Sequence, residues 1–157
     1  MNEYIKSIRK YIGHERLLLA GAGVLLYKDG KILLQKRRDN GLWADHGGCV
    51  EIGETVEETA KRELFEETGL IANKLDFFNI YSGKDMLYTY PNGDKVYLII
   101  TLFLCEDFSG EIKIDTTEVI ELKWFKINEM PDGITPTLKK PLEDFVKYIK
   151  EREKWLT

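Results

Sequence analysis

The chain has 157 residues, 43% of them hydrophobic, which is enough for one sizeable core and too few for two ordinary domains. Its 27 acidic residues against 23 basic ones leave a formal charge of −4, which argues against a protein that blankets nucleic-acid phosphates, although a bound cation would reverse the sign locally. Cys49 and Cys105 are the two cysteines and share no close-spaced motif, so neither a disulfide framework nor a zinc knuckle is expected.

From Tyr4 to Ile12, apolar residues recur at helical spacing and Gly13 follows as a stop, which predicts an N-terminal amphipathic helix within residues 1–13. Charged Glu3 and Lys6 interrupt any leader-like apolar run, and no later stretch offers the roughly 18 apolar residues of a membrane span, so a cytoplasmic protein is expected. "RLLLAGAGVLLY" and "KILLQKR" read as strands joined by a hairpin at Asp29-Gly30. Their apolar runs are continuous rather than alternating, which predicts cover on both faces. "DNGLWADHGG" reads as a loop. Thr55 and Glu58 then form a capping box and Gly69 a left-handed stop, bounding a helix over about Val56 to Thr68. "LDFFNIYS", "KVYLIITLFLC" and "VIELKWFKI" read as further strands, the last with alternating Ile120, Leu122 and Trp124. Leu138 to Leu156 reads as a C-terminal helix with Leu142, Phe145, Val146, Ile149 and Trp155 on its apolar face. Strands interrupted by one central helix and flanked by terminal helices predict an α/β layered domain with a mixed sheet.

The central helix carries Glu63, Glu66 and Glu67 within one and a half turns, where like charges repel. On a wheel at about 100° per residue, Val56, Ala60, Leu64, Glu63 and Glu67 share an arc of about 100°, so two glutamates lie on the apolar stripe. Glu57 and Glu58 point away from it, and Glu58, Arg62 and Glu66 form a row in which Arg62 is expected to pair with both neighbours. An acidic helix face is usually a solvated face. Two inward carboxylates four residues apart suit instead a hard cation such as Mg²⁺ or Mn²⁺, which keeps waters and shares its remaining positions with substrate phosphates.

Gly48, five residues, Glu54, seven residues and then Arg62-Glu63-Leu64-Phe65-Glu66-Glu67-Thr68-Gly69-Leu70 complete a longer pattern. It resembles the Nudix box, G-x5-E-x7-R-E-U-x-E-E-x-G-U with U apolar, at every fixed position from 48 to 70. The resemblance implies an α/β/α sandwich over residues 17–155, with the N-terminal helix outside the shared core. It also implies hydrolysis of a nucleoside diphosphate linked to a further group, with Mg²⁺ or Mn²⁺ as cofactor. Glu63, Glu66 and Glu67 match the metal ligands, with the carbonyl of Gly47 or Gly48 as a further donor. Arg62 matches the arginine that orients the glutamates, and Glu54 a fixed acid of structural character. Glu118, six residues before Trp124, stands where many members place one more glutamate. Glu66, Glu67 or Glu118 is the expected base for the attacking water.

Substrate signals are fewer. Arg37 and Arg38 are candidates for phosphate contacts, and Trp43, Tyr88 and Tyr90 for stacking on a base, although aromatic residues beside apolar strands are usually core. Downstream motifs of NADH and coenzyme A pyrophosphatases are absent, and Lys84, Asp85 and Met86 stand where a proline hints at ADP-ribose specificity. Family members commonly carry proline before the double glycine. This chain has His46 there, either a tolerated loop variant or a substrate contact. A small-molecule nucleotide derivative is the expected partner, with no membrane or sequence-specific nucleic acid, and the chain is expected as monomer or homodimer. A non-catalytic nucleotide-binding module of the same family is the alternative, disfavoured by the intact glutamates. A calcium-binding helix is remote, since no EF-hand loop is present.

Overall fold

The computed structural model describes residues 2–156. Helix α1 spans Glu3–Ile12, with the Asn2 side chain accepting from the Ile5 amide. Strands β1 (Leu17–Lys28) and β2 (Lys31–Arg37) form the expected hairpin through Asp29 and Gly30, both at positive φ. Two short strands follow, β3 (Trp43–Ala44) and β4 (His46–Cys49), where a loop was expected. Next come α2 (Val56–Thr68), β5 (Leu70–Tyr81), a 3₁₀ turn at Lys84–Met86, β6 (Leu87–Thr89), β7 (Lys95–Gly110), β8 (Val119–Lys126) and α3 (Pro136–Trp155).

The eight strands make one mixed sheet whose path runs β3-β2-β1-β7-β5, with β1 and β7 parallel along ten residue pairs at its centre. The other pairings are antiparallel: β4 joins β1, β8 joins β2, and β6 joins β7. On one face, α1 and α3 cover a core that includes Ile5, Leu25, Leu34, Leu102, Leu142 and Phe145. On the other, Ala60 and Leu64 of α2 close over Ala22, Leu26, Leu33 and Phe103. β1 and β2 are therefore covered on both sides, which is why their apolar runs do not alternate. The result is an α/β/α sandwich with an added N-terminal helix.

Two expectations change in detail. Ile120 is 46% exposed, and Val119 and Phe125 are the buried residues of β8. Trp155 is 90% exposed at the last turn of α3, beyond the core that Phe145 and Ile149 fill. Helix α1 is tied to the sandwich: Ile5 is buried, and the Arg9 guanidinium donates to the carbonyls of Gly13, Glu15 and Lys95.

Candidate active site

β4 brings the double glycine to the edge of β1, pairing Gly47 with Gly23 and Gly48 with Ala22. The backbones approach so closely that a Cβ on Gly47 would lie 2.6 Å from the Ala22 carbonyl oxygen. At Gly48 a side chain would collide with the Glu63 carboxylate, which rests against that α-carbon. No branched side chain drives this strand: backbone pairing forms it, with the His46 ring and the Cys49 side chain packed inward at its two ends.

Helix α2 starts and stops as its caps dictate. Thr55 Oγ1 accepts from the Glu58 amide at 3.1 Å, the Glu58 carboxylate accepts from the Thr55 amide at 2.8 Å, and Gly69 takes φ 76°. The wheel holds: Thr59, Ala60, Leu64 and Glu67 are buried, the Glu63 side chain keeps 15% of its surface, and Glu57 and Glu58 are exposed. Arg62 differs from expectation, because Glu58 is used in the cap. The guanidinium instead makes a two-pronged pair with Glu54, Nε to Oε1 at 2.6 Å and an Nη to Oε2 at 3.0 Å. It also donates to Glu63 at 2.8 Å, Glu66 at 3.3 Å and the Cys49 carbonyl at 3.2 Å, locking helix to strand.

Glu63, Glu66, Glu67 and Glu118 line one cleft of about 580 Å³ together with Gly47 and Gly48. Glu118 reaches it from the turn before β8, where its carbonyl accepts from the Arg38 amide at 2.9 Å. Burial pushes the Glu63 carboxyl up, opposed by Arg62, with the charges of Glu66 and Glu118 adding to the rise. Glu67 is raised well above the ordinary range by burial first, then by the charges of Glu63 and Asp45. Burial also lifts Asp45 to about 6. Glu54 goes the other way, to about 2, because Arg62 hydrogen-bonds its charged form.

Among the described residues no three His, Cys, Asp or Glu side chains are gathered into a finished ligand cluster. Arg62 holds the Glu63 carboxylate. The donor set still fits a hard divalent cation: it is all oxygen, and Glu67 is 5% exposed with no arginine or lysine paired to it among the described residues. A buried anion without a countercharge is expensive unless a cation or a proton neutralises it.

A second cavity of about 100 Å³ adjoins this cleft, sharing Arg37, Gly47, Gly48, Cys49 and Tyr90 with it. Tyr88 and Tyr90 meet edge to face at 4.9 Å and wall it, with Leu98 and Ile100 also lining it. Arg37 lies between the two cavities, its guanidinium paired with Asp39 at 2.8 Å.

The remaining substrate candidates sit elsewhere. Trp43 packs edge to face on Phe125 at 4.8 Å and belongs to the core. Arg38 turns away to the Thr116 carbonyl at 2.9 Å. His46 is fully enclosed, so it offers no surface to a substrate: its Nε2 lies 3.0 Å from the Leu33 carbonyl, and its Nδ1 lies 3.5 Å from Glu67 without a hydrogen bond. Burial lowers its pKa to about 4, so the ring is neutral. No sequence motif singles out Gln35 or Asp45. Gln35 carried a signal, as a polar residue directly following the apolar run Ile32-Leu33-Leu34.

Comparison with known proteins agrees with this fold. The NUDIX domain family model matches residues 17–145, which leaves α1 outside the matched part. Over 154 residues the chain is 35% identical to an ADP-ribose pyrophosphatase of Methanocaldococcus jannaschii, covering 96% of this chain and 80% of that protein. It is 35% identical over 123 residues to a putative 8-oxo-dGTP diphosphatase of Bacillus subtilis, covering 78% and 75%. It is 32% identical over 116 residues to an NAD-capped RNA hydrolase of Vibrio parahaemolyticus, of whose length it spans 40%. The crystal structure of a MutT NUDIX hydrolase from Burkholderia pseudomallei superposes with a TM-score of 0.71 at 28% identity, covering 82% of this chain and 98% of that one. With the family model spanning most of the chain, and a close relative matched over nearly all of it, the chain belongs to the NUDIX family.

Proposed function

We propose that the cleft hydrolyses a diphosphate bond in a nucleoside diphosphate linked to a further group, with Mg²⁺ or Mn²⁺ held by Glu63, Glu66, Glu67, Glu118 and the Gly47 carbonyl. The observation that carries this reading is the Glu67 carboxylate, enclosed beside Glu63 at the cleft and given no cationic partner by the described residues. A divalent cation bound there would neutralise charge building on the phosphorus oxygens and make its water a better nucleophile.

The chain's own groups do the rest. Arg62 keeps Glu63 on the cleft side of α2. Arg37, between the two cavities, meets the phosphates, and the Tyr88–Tyr90 corner takes a planar base on its aromatic walls. The proton of the attacking water passes to Glu66 or Glu118, which stand exposed at the rim and can release it to solvent. Glu67, enclosed, serves as a ligand.

The test is a panel of NTPs, dinucleoside polyphosphates, nucleotide sugars, ADP-ribose and 5′-triphosphorylated RNA, assayed with Mg²⁺ and with Mn²⁺ and with products resolved. ADP-ribose enters because of the Methanocaldococcus jannaschii relative, against the missing downstream proline. Metal-dependent release of a nucleoside monophosphate from one class is the expected result. Tight binding without turnover of any compound would contradict an enzyme.

A further inference from the structure

We propose that Gln35 is a positioning residue that sets the orientation of the Glu67 carboxylate; this rests on Glu67 being a cation ligand. Gln35 is 4% exposed and follows three fully buried aliphatic residues on β2. An amide buried there is costly unless its hydrogens are used. Both are: Nε2 donates to the Asp45 carbonyl at 2.8 Å and to Glu67 Oε2 at 2.5 Å. The fork links the residue ahead of the glycine strand to the last turn of α2. Among the described residues it is the only hydrogen bond to that carboxylate.

On the other side of the carboxylate, His46 Nδ1 lies 3.5 Å from Glu67 Oε2 without a hydrogen bond. Oε2 is held inward by the Gln35 amide, and Oε1 is the oxygen left to the cleft. The donor is an uncharged amide, so the carboxylate is oriented without being given a countercharge. An arginine in its place would satisfy Glu67 as Arg62 satisfies Glu54 and weaken its pull on a cation.

The test is a Mn²⁺ titration of the metal-free protein, followed by the rise in melting temperature and by the electron paramagnetic resonance of free Mn²⁺. It compares wild type, Gln35→Met, Glu67→Gln and the double variant. Gln35→Met keeps the volume and removes the donor, and should weaken Mn²⁺ binding about tenfold, the low end for loss of a group that orients a ligand. In turnover it should lower kcat by a similar factor while KM stays within about threefold. In the Glu67→Gln background the same change should add almost nothing, because its route to the metal is already gone. Unchanged Mn²⁺ affinity in Gln35→Met, or an equal loss in both backgrounds, overturns the positioning role. If Gln35→Met does not fold, Gln35→Asn decides: it keeps an amide in the pocket but draws the nitrogen a methylene back from both acceptors, so the loss of affinity should reappear, and wild-type affinity overturns the proposal. Glu67→Gln with wild-type Mn²⁺ affinity would remove Glu67 as a ligand and the proposal with it, whereas a weakened Glu67→Gln beside an unaltered Gln35→Met removes the positioning role alone.

Discussion

Glu54 and Glu67 flank the same arginine-bearing stretch and are treated in opposite ways. Glu54 receives two hydrogen bonds from Arg62, one from the Thr59 hydroxyl at 2.7 Å and one from the Glu51 amide at 3.0 Å, and its pKa falls to about 2. Glu67 receives one bond, from a neutral amide, and its pKa is driven up by burial and by Glu63 and Asp45. A carboxylate given its countercharge by the protein holds the fold together. One denied it costs folding free energy unless a cation or a proton neutralises it, so folding alone does not explain keeping it.

The comparison breaks first at Glu67. Glu67→Gln is nearly isosteric and should cut turnover at least about a hundredfold, as loss of a preorganised electrostatic element does. Its melting temperature in EDTA should be unchanged or higher, and the stabilisation by Mg²⁺ smaller, because a ligand stabilises only through affinity for the native state. Normal turnover in this variant would end the argument.

Glu54→Gln should show the reverse profile. Losing a charge that accepts several hydrogen bonds should destabilise by about 1 to 3 kcal/mol at neutral pH, with the metal-induced rise in melting temperature retained. Its folded pKa lies below the ordinary 4.5, so the stabilisation is complete above about 4.5 and is lost as pH falls towards about 2. The stability gap between wild type and Glu54→Gln should close across that interval, as followed by urea denaturation at each pH.

Glu67 has the opposite linkage. Its folded pKa lies well above the ordinary value of 4.5, so any stability it contributes is present below about 4.5 and is lost as pH rises through the raised pKa. In EDTA, Glu67→Gln should therefore be the more stable protein at pH 8, and its lead should shrink as the pH is lowered towards 4.5. The comparison must be made between variants, since His46, lowered to about 4, destabilises both below its ordinary 6.5. A lead that grows on acidification would mean Glu67 is already satisfied in the metal-free protein. The smallest effect belongs to Glu58→Gln on the outer face, where a glutamine side chain can still close the capping box: activity should stay near wild type, with at most about 1 kcal/mol lost at the cap.

Much of this was legible because it rests on local rules. Thr55, Glu58 and Gly69 bound α2, and helical periodicity alone put Glu63 and Glu67 on its inner edge. What escaped depends on contacts distant in sequence. β4 has the composition of a loop because glycines admit a close backbone approach, and nothing local announces the pairing of Gly47 with Gly23. Trp43 and Tyr88 look alike as aromatic residues near strands, yet Phe125 takes one into the core while the other walls a cavity. His46 reads as a loop residue until β1, β2 and α2 close around it. Gln35 was visible as a polar residue at the end of an apolar run, but its partner lies 32 residues away.

The central claim is that the inner edge of α2 is a cation site. The most direct measurement is a crystal structure of the protein grown with Mn²⁺, with anomalous difference density collected to locate the metal. The account predicts a peak in the cleft at about 2.0 to 2.3 Å from carboxylate oxygens of Glu63 and Glu67, as for hard divalent cations on oxygen ligands, with the Gly47 or Gly48 carbonyl nearby and with Glu54 still paired to Arg62. Density on the exposed acids of α2 instead, or a cleft without density at saturating Mn²⁺, would contradict it.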